Sequence, residues 1–267
     1  MIVSSRSEGI PVMDHPRSEQ SALIIGASRG LGLGLAKEYL KRGWRVVATV
    51  RGSAQTGLHG LAEQTNGKLE IATVDVNEPA QIDALRQHLE GRTFDLLFVN
   101  AGVANDPGET VGDISVDEFI RVMVTNALSP MRVIEAMLAS VRPTVTIGVM
   151  SSGLGSVADN DDGGFEVYRA SKAALNTLMR SFAARRASDP RSLLLIAPGW
   201  VCTRLGSHRH GRTPRRTFCR GKYRGSGWHH LRAVRQRGIA LPRLSRPDDS
   251  MVIRRPCPLR GGIHAGS

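Results

Sequence analysis

A chain of 267 residues, 41% of them hydrophobic, is long and apolar enough to bury the core of one ordinary α/β domain. Its formal charge of +12 sits at one end: from Gly206 to Ser267, fourteen Arg and Lys222 stand against Asp248 and Asp249, whereas residues 1–205 carry a net charge of −1, which excludes a body built to hold a polyanion. Cys202, Cys219 and Cys257 have neither disulfide-framework nor zinc-site spacing, and neither a signal-peptide apolar stretch in the first twenty residues nor a run of 18 apolar residues is present. The expectations are therefore a cytoplasmic protein with no membrane partner and a flexible leader over residues 1–20, Met13 being an alternative start.

From residue 21 short apolar runs alternate with longer periodic ones, the rhythm of βαβ units stacked into a parallel sheet. SALIIG (21–26) is expected as a buried strand, Gly30 to Arg42 as a helix, RVVATV (45–50) and LEIATV (69–74) as strands. Pro79 suits the first turn of a helix reaching about Leu89. DLLFVN (95–100) is a fourth strand, Ser115 to about Ser140 one long helix, TVTIGVM (144–150) a fifth strand, residues 165–187 a helix and SLLLIA (192–197) a sixth strand. Beyond Gly206 neither a helical period nor an alternation persists, so residues 207–267 are expected to be a basic, disordered tail.

The first strand runs into Gly26-Ala-Ser28-Arg29-Gly30-Leu31-Gly32. Glycines at such a strand-to-helix turn let the backbone approach a pyrophosphate and present amides at a helix N-terminus. The second strand ends at Arg51 with no acidic residue to accept from a ribose 2′-hydroxyl, while Arg29 and Arg51 offer forked donors for a 2′-phosphate, which favours NADP(H) over NAD. Further along, Tyr168-Arg-Ala-Ser-Lys172 puts a phenol and an ammonium on one face of a helix. A nearby cation favours the phenolate, so this pair is expected to lower the Tyr168 pKa and let it exchange a proton with an alcohol.

The glycine spacing, the Y-x-x-x-K pair and Met150-Ser151-Ser152-Gly-Leu-Gly155 together resemble the short-chain dehydrogenase/reductase family over about residues 21–206. The long acidic loop ADNDDGGFE before Tyr168 is similar to that of the small carbonyl-reductase branch that includes the sniffer and C-signal proteins. The resemblance implies a Rossmann-type, doubly wound α/β fold and a hydride transfer between NADP(H) and a small carbonyl or alcohol. It implies Tyr168 as acid/base, Lys172 as its activator, Ser152 (alternatively Ser151) as the hydroxyl on the substrate oxygen, and Asn126 as the residue holding a relay water. Asp75 and Val76 correspond to the family's adenine contact, and Asn100, Ala101 and Gly102 to its turn beside the adenosine. Pro198, Gly199, Val201 and Thr203 correspond to the segment that closes over the nicotinamide, with Tyr168 and Lys172 also touching the cofactor. One departure stands in the glycine turn, where Ile25 replaces the usual Thr. Related enzymes are commonly homodimers or homotetramers.

Family members continue past Thr203 into a substrate loop, a helix and a seventh strand, none of which the sequence after Gly206 resembles. Two accounts are open: a basic appendage that binds nucleic acid, or a change of reading frame near Gly206, which is the preferred one. The next frame must read tryptophan at Met251-Val252, and permitted codons for the preceding stretch spell SRFLDYRGQTIPW, similar to the family's last strand and terminus. Nucleic acid is then not expected as a partner, the last strand is missing, and catalysis is expected to suffer; an NADP(H)-binding regulatory protein without turnover is the alternative function.

Overall fold

The computed structural model describes residues 19–199. Six parallel strands, β1 (Ser21–Ile25), β2 (Arg45–Val50), β3 (Leu69–Thr73), β4 (Phe94–Val99), β5 (Val141–Met150) and β6 (Ser192–Ile196), form one sheet in the order β3-β2-β1-β4-β5-β6. This is the Rossmann-type, doubly wound α/β arrangement expected from the sequence. The chain winds outward from β1 and then returns to start again at β4, so the loops leaving β1 and β4 diverge and open a crevice at their carboxyl ends.

The strands are near-continuous apolar runs because both faces of the sheet are covered. Alternation divides them cleanly. Leu23 and Ile25 point into one core layer with Val47, Leu97, Ile147 and Phe182, while Ala22 and Ile24 point into the other with Val46, Leu58, Leu96 and Phe98. The first layer is closed by α3 (Pro79–His88), α5 (Ser129–Met137) and α6 (Glu166–Arg185), the second by α1 (Gly30–Lys41) and α2 (Gly57–Ala62). Gly148 is fixed by packing, since a Cβ there would stand 2.6 Å from Cδ2 of Phe98.

Three elements differ from the sequence expectation. The long helix after Ser115 is broken into α4 (Val116–Met123), a wide π turn over Val124–Leu128, then α5 and a short 3-10 turn at Leu138–Ser140. β5 begins three residues early, at Val141, and accommodates Pro143 and a left-handed Thr144 (φ 72°) through an irregularity in its pairing with β4. The short helix α2 was not foreseen; Thr56 and His59 close its first turn reciprocally as a capping box. The expected missing strand, leader and tail lie outside the described residues; among the described residues no helix is long and apolar enough to span a membrane.

Candidate active site

The glycine turn is held by its two neighbouring strands. The Gly26 N–H donates to Thr49 Oγ1 (2.9 Å) and the Ala27 N–H to the Thr49 carbonyl (2.7 Å), while Asn100 Nδ2 donates to the Gly26 carbonyl (2.7 Å). Gly26 takes φ 83°, open at little cost only to glycine, and a Cβ on it would meet the Ala101 nitrogen at 2.7 Å. A Cβ on Gly32 would stand 2.2 Å from the Gly26 carbonyl, so the first turn of α1 and the end of β1 fit together only without side chains at both places. Ser28 is half-buried in the turn and Leu31 in the first turn of α1; Arg29, at the N-cap, and Arg51, just past β2, are exposed, and no acidic partner faces either among the described residues.

Asp75 follows β3, and its Oδ1 accepts from the Asn77 N–H at 2.9 Å, while Val76 is buried. Asn77 in turn donates to Thr125 Oγ1 and accepts from Ser129 Oγ, both at 2.9 Å, tying this loop to the π turn. That turn presents Asn126 inward with no exposed surface. Its Oδ1 accepts from the Val103 N–H (2.8 Å), and its Nδ2 donates to the Val103 carbonyl (2.8 Å) and to Ser171 Oγ (2.9 Å). The side chain thus has its donors filled by protein; it fastens the segment after Gly102 to the turn that carries Tyr168, whose carbonyl accepts from Ser171 Oγ at 2.7 Å.

Lys172 lies under this junction, 3% exposed. Its Nζ donates to the Met150 carbonyl at 2.9 Å and stands 5.9 Å from the centre of the Tyr168 ring. A Cβ on Gly102 would lie 3.3 Å from Asn126 Oδ1 and 3.6 Å from Lys172 Nζ, so a glycine here keeps the approach to both open. Burial lowers the Lys172 pKa to about 8. The Tyr168 phenol is pushed above the ordinary tyrosine range by burial, with a hydrogen bond to the Ser152 side chain pulling it partly back. This corrects the expectation drawn from the Tyr168–Lys172 spacing: burial raises the phenol, what opposes burial is the Ser152 hydrogen bond rather than the Lys172 charge, and the phenol is protonated at neutral pH.

The two adjacent serines differ in their partners. Ser151 Oγ is buried and donates to Asn176 Oδ1 at 2.6 Å, whereas Ser152 reaches Tyr168 and accepts from the Leu154 N–H at 3.2 Å. Contacts therefore run without interruption from Gly32 through Gly26, Asn100, Ala101, Gly102, Asn126 and Lys172 to Tyr168 and Ser152, along the carboxyl ends of β1, β4 and β5. Pro198 and Gly199 follow β6 at the same sheet edge, where Ile196 pairs with Met150; Val201 and Thr203 lie outside the described residues. Thr49, Ser171 and Asn176 are polar residues on which this geometry depends and which no motif marked. Their one signal was position: each is a polar side chain at a point where the strand or helix pattern calls for burial.

Residues 20–212 match the profile of the short chain dehydrogenase family, which covers well over half of the chain. The chain belongs to that family. A short-chain dehydrogenase/reductase from Burkholderia multivorans, solved with bound NADP, is 56% identical and superposes with a TM-score of 0.69 over 70% of this chain and 82% of that one. The carbonyl reductase Sniffer of D. melanogaster is 30% identical with a TM-score of 0.65, covering 70% of this chain and 84% of that one. The C-signal protein of Myxococcus xanthus is 39% identical over 114 residues, 42% of this chain and 68% of its own length. The relatives thus include a Sniffer and a C-signal protein, members of the branch that the sequence resembles.

Proposed function

We propose that this short-chain dehydrogenase reduces small carbonyl compounds with NADPH, using Tyr168, Lys172, Ser152 and Asn126. The observation that carries the reading is the half-buried Tyr168, whose phenol bonds to Ser152 and whose ring centre lies 5.9 Å from the buried Lys172 ammonium, at the crevice beside the glycine turn. The residues at hand fit the phosphorylated cofactor: side-chain-free positions at the turn, and the exposed guanidinium groups of Arg29 in the turn and Arg51 after β2, with no carboxylate among the described residues paired to either. The Burkholderia relative, with its bound NADP, supports the same choice.

Bound NADPH would supply the hydride. The Ser152 hydroxyl orients the substrate oxygen, and the Tyr168 O–H donates its proton to that oxygen as negative charge develops there. The Lys172 ammonium stabilises the phenolate left behind. Asn126 contributes by holding Val103 and Ser171 in place, and the family resemblance assigns it the water that relays protons from Lys172. Because Lys172 must be charged for this role and its pKa is about 8, kcat/KM for reduction is expected to hold below that pH and to fall as pH rises through it. A pH–rate profile from 6 to 10 with one ketone checks this, and a flat profile through 9 would remove the Lys172 charge from the mechanism. The overall reading is tested by following NADPH oxidation with a panel of small aldehydes, ketones and quinones.

Residues 21–206 make up the catalytic unit in this reading, and residues 207–267 are the product of a shifted frame. The basic composition and loss of pattern after Gly206 support it, as does a family match that ends at residue 212, well short of residue 267. Determining the nucleotide sequence that encodes residues 200–255 tests it directly. The expected outcome is that the neighbouring frame spells a terminal strand ending near the Met251 codon; a neighbouring frame without that spelling retires the idea and leaves the tail as a genuine basic appendage.

A further inference from the structure

Tyr168, Lys172 and Asn176 stand at every fourth position of α6 and so share one face of the helix. Asn176, buried one turn beyond the ammonium, takes hold of the segment that this face meets. Its Oδ1 accepts from Ser151 Oγ at 2.6 Å, and its Nδ2 donates to the Gly155 carbonyl at 3.3 Å. A carbonyl can only accept, so Nδ2 has to be the atom facing Gly155, which leaves Oδ1 for Ser151 and makes the serine hydroxyl the donor.

One side chain thus fastens both flanks of the turn that presents Ser152. The pairing of β5 with β6 reaches Ser151, whose N–H donates to the Ile196 carbonyl at 2.8 Å. Past it the chain leaves the sheet: Ser152 caps a single 3-10 turn over Gly153–Gly155, and its carbonyl accepts from the Gly155 N–H at 3.0 Å. That turn lies directly against α6, since a Cβ on Gly155 would stand 2.9 Å from Asn176 Nδ2 and 2.9 Å from the backbone carbonyl carbon of Lys172. The place of Ser152 relative to Tyr168 is therefore set from the helix that carries Tyr168 itself. Position matters here because a reacting group displaced by about 1 Å can cost about 10²-fold in rate.

We propose that Asn176 is a positioning residue for carbonyl reduction, which keeps the Ser152 hydroxyl at the Tyr168 phenol by holding Ser151 and Gly155 against α6. The inference rests on the carbonyl-reductase reading above. Asn176 acts through Ser152 alone in this role, so its removal matters only while Ser152 is there to be misplaced.

Asn176→Leu, which keeps the bulk and loses both hydrogen bonds, is expected to lower kcat about tenfold with KM for NADPH little changed; Ser151→Ala, which loses one of them, is expected to lower it about threefold. In a Ser152→Ala background both effects are expected to shrink below about twofold, a coupling that a general loss of stability does not produce. Thermal melts establish that each variant is folded, and where Asn176→Leu is not, Ser151→Ala carries the same comparisons. Carbon NMR of protein labelled at tyrosine Cζ gives a readout without turnover: among the three tyrosines, the Tyr168 signal is the one that Tyr168→Phe lacks. It is expected to move in the same direction in Ser152→Ala, Asn176→Leu and Ser151→Ala. If no ketone is reduced but the signal moves in this way, the carbonyl-reductase reading fails and the hold of Asn176 on Ser152 stands. Full kcat in Asn176→Leu, an equal loss with and without Ser152, or a Tyr168 signal that moves in Ser152→Ala alone overturns the inference.

Discussion

Tyr168→Phe is expected to slow carbonyl reduction by about 10²- to 10⁴-fold, the usual contribution of a positioned general acid, while leaving the affinity for NADPH close to that of the wild type. The substitution removes one oxygen and keeps the ring, so the edge contact with Phe165 and the packing over Lys172 survive. What goes is the proton that burial holds on the phenol and the hydrogen bond to Ser152. The loss should appear in kcat, because the proton moves only as the carbonyl oxygen gains charge. Stopped-flow or steady-state absorbance of NADPH with the best substrate of the panel measures it. Equal rates for both proteins would take Tyr168 out of the chemistry.

The second large effect concerns cofactor choice. Arg29→Ala combined with Arg51→Ala is expected to reduce the preference for NADPH over NADH by at least about 10²-fold, through KM for NADPH, with KM for NADH little changed. Hydrogen bonds to a charged group contribute about 1.5–3 kcal/mol each, and the lower end applies to two exposed guanidinium groups, which is roughly tenfold apiece. Their position is what gives them the task. Arg29 caps α1 directly beside the glycine turn and Arg51 follows the last residue of the adjoining strand, and no carboxylate among the described residues competes for either. Steady-state kinetics with both cofactors in the wild type and the double variant decides the matter. An unchanged ratio would show both arginines to be ordinary solvated surface residues.

Much of this architecture was legible in the sequence because its strands are buried on both faces and therefore stand out as apolar runs, and because the glycine turn allows few alternatives to its spacing. The order of Gly26, Asn100, Ser152, Tyr168 and Lys172 along the chain was enough to place them at one crevice. The break at Asn126 was not legible. A wide turn inserts one residue into a helix without disturbing the apolar period on either side, so Val116 to Met137 reads as continuous. The extension of β5 back to Val141 was hidden by Pro143, which argues against a strand except where the pairing is irregular. Thr49, Ser171 and Asn176 were missed because a short buried polar side chain has no sequence signature until its partners are known. The Tyr168 pKa was anticipated in the wrong direction for a related reason: spacing reveals the cation one turn away, but the burial that raises the phenol comes from packing that no spacing shows.

The lowered pKa of Lys172 and the raised one of Tyr168 share a cause. Partial burial of the phenol and near-complete burial of the ammonium make each uncharged form cheaper. Such a site is held by its surroundings rather than by its own contacts, and here the surroundings are the tie between Asn126 and Val103, the tie between Ser171 and the Tyr168 carbonyl, and the Met150 carbonyl that anchors the ammonium.

The most direct measurement is mass spectrometry of the alcohol formed when NADPH deuterated on the transferable position of its nicotinamide is incubated with the protein and a small ketone. A single deuterium on the carbinol carbon, formed by the wild type and suppressed with Tyr168→Phe, is the predicted result. Saturable binding of NADPH with no deuterated alcohol from any carbonyl of the panel would contradict the account and leave a nucleotide-binding protein that does not turn over.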